Sequence, residues 1–188
     1  MSYTYTYDWF LRCELRKHAH KFVDANKANS ILEIGSFEGL SACFFMESFM
    51  DHPDSTLTCV DPFLKTDETT EVTNDTRSIF YKNVALNKNV TKIRIYETFS
   101  HNFFDMAYKR REIPKYDFVY IDGSHLLPDI TVDLNHCIHL TKRGGIIWMD
   151  DYGAGHIGIT EHIDRMYEHN KEDLELIHKE YQIAFRKK

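Results

Sequence analysis

A chain of 188 residues, 43% hydrophobic, 28% charged and 14% aromatic, carries enough apolar material for one packed core and is too short for two full domains. Its formal net charge is −6, and its basic residues are scattered apart from Lys109-Arg110-Arg111 and Arg186-Lys187-Lys188. The basic face that a nucleic-acid backbone requires is missing, so nucleic acid is not expected as the main partner. Cys13, Cys43, Cys59 and Cys137 show no C-x-x-C spacing, which reads as free thiols in a reducing compartment. No stretch approaches the roughly 18 apolar residues of a membrane span, and the N-terminus lacks a long apolar run. A cytoplasmic chain with no membrane partner is expected.

Taken in chain order, residues 8–26 read as a helix on the sheet edge or over the site, within an N-terminal helical segment (1–28) that precedes the core (29–188) of a single domain. From Ser30 onward, short apolar runs alternate with longer mixed ones, the pattern of βα units. The short runs Ile31–Ile34, Leu57–Val60, Ile93–Tyr96, Phe118–Ile121 and Ile146–Met149 read as buried parallel strands. Ile130, Leu134, Cys137 and Ile138 after Pro128, and Ile159, Ile163, Met166 and Tyr167 after Gly153, Gly155 and Gly158, mark helix faces. Gly144-Gly145 reads as a helix exit. Leu174 and Leu176, then Ile183 and Phe185, alternate with polar residues on either side of a tight turn, which predicts an antiparallel hairpin. The expected fold is α/β: seven strands, mostly parallel, ending in that hairpin, with helices on both faces.

In open α/β sheets, ligands bind beyond the carboxyl ends of the strands, at the first strand-to-helix turn. Here that turn is Glu33-Ile34-Gly35-Ser36-Phe37-Glu38-Gly39. Its G-x-x-x-G spacing is neither the dinucleotide fingerprint nor a P-loop, which disfavours a pyrophosphate ligand. The glycines allow a sharp turn and close backbone approach, and Ser41 at the next helix start can donate to a carboxylate. Asp61 closes the second strand, where an acid can accept from ribose hydroxyls. A ligand with an amino-acid carboxylate and a ribose fits; a plain tight turn is the alternative.

At these residues the sequence resembles the class I S-adenosylmethionine-dependent methyltransferases. The segment E-I-G-S-F-E-G-L-S-A looks like the first motif of the small metal-dependent O-methyltransferases, of both catechol type and sugar or antibiotic type. The resemblance runs over residues 30–188 and implies a Rossmann-like methyltransferase sheet. By that likeness Glu33, Gly35, Phe37 and Ser41 surround the methionine part of S-adenosylmethionine, Asp61 the ribose, and Phe99 with Ser100 the adenine, with Ser36 and Gly39 also binding the cofactor and S-adenosylhomocysteine as product.

The fourth strand ends in Asp122-Gly123-Ser124-His125 and the fifth in Asp150-Asp151-Tyr152, which gathers three carboxylates and a histidine on the same rim. Carboxylates so close repel unless protonated or bound to a cation, and oxygen donors suit Mg²⁺ or Mn²⁺, with Ca²⁺ as a further candidate. The metal-dependent O-methyltransferases look similar here, and the D-x-x-H form matches the sugar enzymes. The resemblance implies Asp122, Asp150 and Asp151 as metal ligands, with Asp122 also beside the donor, and His125 as the base that deprotonates an acceptor hydroxyl. Tyr152 and His156 are candidate substrate contacts, and Trp9-Phe10 candidate walls of the acceptor pocket. Helix capping by Asp150-Asp151 and a solvated His125 are the alternatives.

The expected activity is therefore O-methylation of a sugar or glycan hydroxyl, with a catechol-like or other small-molecule hydroxyl as the runner-up. A nucleotide-dependent oxidoreductase and a silent cofactor-binding module are the competing classes. The short N-terminal stretch offers little lid, so a large acceptor, a homo-oligomer or a fused partner domain is expected to complete the pocket.

Overall fold

Strands form where β-branched and aromatic residues alternate between two apolar layers. In a computed structural model, which describes residues 2–155 and 157–188, these are β1 (Ser30–Ile34), β2 (Thr56–Val60), β3 (Ile93–Tyr96), β4 (Tyr116–Ile121), β5 (Thr141–Met149), β6 (Leu174–Lys179) and β7 (Ile183–Lys187). They form one sheet in the order β3-β2-β1-β4-β5-β7-β6. Strands β1 to β5 run parallel, and β7 lies antiparallel between β5 and β6. This is the expected seven-stranded sheet with its terminal hairpin.

The helices are α1 (Glu14–His18), α2 (Leu40–Ser48), α3 (Thr76–Ala85), α4 (Ser100–Tyr108), α5 (Leu127–Leu140) and α6 (Ile159–Asn170). Alternate strand residues feed opposite cores. Leu32, Ile34, Val119, Ile121, Ile147 and Met149 pack with α4, α5 and α6. Ile31, Leu57, Cys59, Phe118, Tyr120 and Trp148 pack with α2, α3 and the N-terminal segment. The period of two thus decides which layer each side chain joins. Among the described residues, no helix is long and apolar enough to cross a membrane.

Two expectations change. The helix over residues 8–26 is broken into a 3-10 turn at Trp9–Arg12, the short α1, and a second 3-10 turn at Ala19–Lys21, with Cys13 extended (φ −61°, ψ 142°). On one continuous helix Phe10 and Glu14 would share a face. Here Phe10 packs on Phe44, Phe45 and Tyr120, whereas Glu14 accepts the backbone N–H groups of Tyr181 and Gln182. The chain straightens at Cys13 so that both can be reached. Gly144-Gly145 also lies inside β5 rather than before it: Thr141 already pairs with Tyr116, and the register shifts before Ile146 meets Phe118. The glycines occupy that irregularity, with Gly144 left-handed at φ 79°.

Gly35 (φ 85°) and Gly144 share a left-handed backbone but not their surroundings. A Cβ on Gly35 would stand 1.9 Å from the Asp122 carbonyl oxygen, whereas one on Gly144 meets nothing within 4 Å. Gly144→Ala is expected to fold with Tm lowered by roughly 2–8 °C, the left-handed penalty alone. Gly35→Ala should cost on the order of 4 kcal/mol or abolish folding. Similar thermal melts for the two variants would show that β1 and β4 do not pack this closely.

Candidate active site

Parallel register aligns the ends of four neighbouring strands. Ile34 stands opposite Val60 and Ile121, and Ile121 opposite Met149, so Asp61, Gly35, Asp122 and Asp150 follow as one row on the rim. The ladder continues into that row: Gly35 N–H donates to Val60 O at 2.9 Å, Asp122 N–H to Ile34 O at 2.8 Å, and Asp150 N–H to Ile121 O at 2.9 Å. With strands roughly 4.8 Å apart, three carboxylates and one position without a side chain share a single edge.

The first turn is held from the side by Asp61. Its Oδ2 accepts the N–H groups of Ser36 (2.8 Å) and Phe37 (2.9 Å), and its Oδ1 that of Phe63 (2.6 Å). Phe37 and Phe63 are left-handed at φ 46° and 48°, a strained state for bulky residues that these bonds help to hold. Glu33 supports the turn from below. Aligned with Cys59 and Tyr120, it is fully buried. Its Oε2 accepts from the Ser36 hydroxyl at 2.5 Å and the Cys59 thiol at 3.1 Å. Burial pushes its carboxyl up to about 7. Gly39 caps α2, and Ser41 is buried in its first turn. Phe99 and Ser100 stand at the carboxyl end of β3, with Phe99 exposed and stacked on His101.

Beyond β4 and β5, Asp151 faces His125, while Asp122 and Asp150 share the Tyr120 hydroxyl. His125 Nε2 lies 2.8 Å from Asp151 Oδ2, and the ligand-type atoms of Asp122, His125 and Asp151 lie within 4.8 Å of one another. The hydrogen bond to Asp151 raises the His125 pKa against the opposing effect of burial. Burial, then the charges of Asp150 and Asp151, hold Asp122 well above the usual carboxylate range. Asp150, expected as a third metal ligand, lines the same pocket with both of its oxygens engaged by neighbouring groups. Its Oδ2 accepts from the Tyr120 hydroxyl and lies 3.4 Å from the Cys13 thiol, while its Oδ1 accepts the Asp151 N–H at 2.8 Å. Asp151 itself is left-handed at φ 54°, which aims the two adjacent acids apart, and it accepts a hydrogen bond from the Tyr181 hydroxyl.

Of the acceptor candidates, Tyr152 is buried, its hydroxyl donating to Asp164 at 3.0 Å. It belongs to the α6 core and offers no face to an acceptor, a correction to the expectation from its place after Asp151. His156 lies outside the described residues. Phe10 is also core, but Trp9 is 54% exposed and stacks between Phe37 (5.6 Å) and Tyr7 (4.3 Å). Four residues of the site escaped the sequence reading. Tyr120 was findable, since it lies two residues before Asp122 on the same strand face. Asp133 interrupts the apolar face of α5; it is 1% exposed, with burial pushing its carboxyl up to about 7. Glu68, which accepts the His125 backbone N–H, and Tyr181 carry no local signal.

Residues 32–152, more than half of the chain, match the family model described as a methyltransferase domain. The chain belongs to this methyltransferase family. No curated protein sequence matches it. The methyltransferase is similar in fold to several solved structures. The O-methyltransferase TomG from Streptomyces achromogenes, involved in tomaymycin synthesis and solved with S-adenosylmethionine, aligns at a TM-score of 0.64 and 16% identity over 87% of this chain and 75% of that one. The O-methyltransferase from Bacillus cereus, solved with S-adenosylhomocysteine, aligns at 0.63 and 13% over 96% and 92%. A candidate rRNA methylase from Clostridium thermocellum aligns at 0.66 and 11% over 92% and 96%. At these identities the likeness establishes the Rossmann-like fold.

The two buried acids of this methyltransferase, Glu33 and Asp133, give a signed pH dependence. Their folded-state values of about 7 exceed the ordinary 4.5 and 3.8, so the folded state keeps protons that the unfolded chain releases. Stability should be greatest below the unfolded values and fall as pH rises toward 7, by at most about 3 kcal/mol for Glu33 and about 4 kcal/mol for Asp133. Thermal melts from pH 5 to 8 in the presence of a chelator are expected to show this decline. Glu33→Gln with Asp133→Asn should remove much of it, and an unchanged slope in the double variant would rule these carboxyls out as its source.

Proposed function

We propose that this chain transfers a methyl group from S-adenosylmethionine to a hydroxyl, with a sugar or glycan hydroxyl as the acceptor. The observation that carries the reading is the His125–Asp151 pair at 2.8 Å, beside Asp122 and one strand from the Gly35 turn. Similar folds hold the methyl donor or its product, which supports the same donor here.

The residues fit that donor. Gly35, Ser36, Phe37, Gly39 and Ser41 place a backbone turn and the N-terminus of a nine-residue helix where an amino-acid carboxylate is stabilised, with Glu33 beneath. A carboxylate has about four acceptor sites, and Asp61 uses two of them on the turn and a third on the Phe63 N–H. One remains for a ribose hydroxyl without releasing the turn. The exposed Phe99 ring, followed by Ser100, offers a flat face to adenine.

Asp151 fixes the orientation of the His125 ring through Nε2 and stabilises the charge the ring gains on taking up a proton. His125 then takes the proton of the acceptor hydroxyl as its oxygen attacks the donor methyl in line, and the rate depends on how well both reactants are oriented. Asp122 and Asp151, with Asp150 behind them, present the oxygen donors that a hard divalent cation such as Mg²⁺, Mn²⁺ or Ca²⁺ requires. Such an ion, when bound, supplies positive charge that lowers the pKa of the hydroxyl. The D-x-x-H spacing supports a sugar or glycan over a catechol, and the exposed Trp9 ring beside Phe37 gives an acceptor a flat apolar surface.

Calorimetry is expected to show binding of S-adenosylhomocysteine and none of NAD; the reverse pattern would overturn the assignment. With labelled donor and a panel of sugar and catechol acceptors, transfer should favour the sugars. His125→Ala should lower transfer by roughly 10²–10⁴-fold while leaving S-adenosylhomocysteine affinity nearly unchanged, and chelation should lower transfer in the wild type. Full activity in His125→Ala would remove that residue from the mechanism.

A further inference from the structure

Residues 61–75, between β2 and α3, contain no helix or strand, yet the segment is internally braced. The Thr66 N–H donates to Thr69 Oγ1 at 2.9 Å, and the N–H groups of Thr69 (3.1 Å) and Glu68 (3.3 Å) donate to Thr66 Oγ1. At the far end, the Thr73 N–H donates to Thr76 Oγ1 at 2.9 Å. This closed turn presents Glu68 to the loop after β4. Glu68 Oε1 accepts the backbone N–H of His125, and Oε2 lies 3.0 Å from the Ser124 hydroxyl. That hydroxyl has one proton and stands closer to Asp129, at 2.7 Å, so the firm contact is the one to the His125 amide. Strands β2 and β4 flank β1. A link between their carboxyl-end loops therefore passes over the end of β1, where the Gly35–Gly39 turn lies.

We propose that Glu68 is a positioning residue that fixes the His125 loop through its backbone, and that residues 61–75 form a strap latched over the β1 turn by this contact. The second half rests on the reading of that turn as the methyl-donor site. A charge-assisted bond from a backbone N–H sets where the His125 ring starts without touching the ring itself. Long structured loops that carry such a contact commonly act as covers. The donor then enters and leaves when Glu68 releases the amide.

Hydrogen exchange on the full chain, without ligand, compares the wild type with Glu68→Ala and Glu68→Gln. Peptides covering 61–75 and 123–127 are expected to exchange about tenfold faster in Glu68→Ala, with β1 and β4 peptides unchanged. Glu68→Gln keeps a carbonyl acceptor for the amide and should stay within about threefold of the wild type. Stopped-flow displacement of S-adenosylhomocysteine should be about tenfold faster from Glu68→Ala than from the wild type. Equal exchange in the wild type and Glu68→Ala would overturn the latch. Altered exchange with equal dissociation rates would overturn the strap over the donor site. If S-adenosylhomocysteine binds none of the three proteins, the donor reading fails, and the exchange result alone decides the positioning role.

Discussion

Three carboxylates at the ends of two adjacent strands repel one another, and the rim exists only where that repulsion is offset. Two unit charges 4.8 Å apart cost about 3 kcal/mol at an effective dielectric of 20, a large share of a domain's net stability. Asp151 faces His125 and the Tyr181 hydroxyl, and Asp150 faces the Tyr120 hydroxyl and the Asp151 amide. Asp122 is served least: its side-chain partner is the same Tyr120 hydroxyl, at 3.2 Å, and that hydroxyl has one proton for two acids. Asp122 is thus the acid with the longest donor contact, and burial followed by the charges of Asp150 and Asp151 holds its pKa well above the usual carboxylate range. Positive charge or a proton at Asp122 is what the arrangement calls for.

The glycine turn belongs to the same constraint. Gly35 lets β1 approach the Asp122 carbonyl more closely than any side chain permits, so the glycine turn and the acid cluster are packed directly on each other. Asp61 braces the turn on the other side through the backbone N–H groups of Ser36 and Phe37. A ligand seated there would lie between two carboxylates with different tasks, one tied into the scaffold and one needing a counter-charge.

What could be read in the sequence is what depends on neighbours in the chain. The five apolar runs, the hairpin after Leu174, the glycine turn and the row of residues just past each strand all follow from local periodicity and chain punctuation, and the structure places them as expected. The straight helix over residues 8–26 fails because its break is set by Gln182 and Tyr181, far away in sequence. Tyr152 follows Asp151 directly, yet it turns into the α6 core because Asp164 receives its hydroxyl. The separation of Asp150 from Asp151 depends on a left-handed residue, which no spacing rule anticipates at an aspartate. Glu68 sits in a polar stretch where nothing in its surroundings distinguishes it.

Tyr120 joins these parts. Its ring packs edge-on against Phe10 and Phe45, and its hydroxyl holds Asp122 and Asp150. Phe10 belongs to the N-terminal segment, whose Cys13 lies against Asp150 and whose Leu15 N–H shares Gln182 Oε1 with the Trp148 ring N–H. None of Phe10, Cys13, Leu15 or Gln182 falls within the 32–152 stretch that matches the family model. A shift of Phe10 would move the ring whose hydroxyl apportions a proton between two acids. The segments on either side of the matched stretch thus supply contacts to the side chains that hold the rim acids.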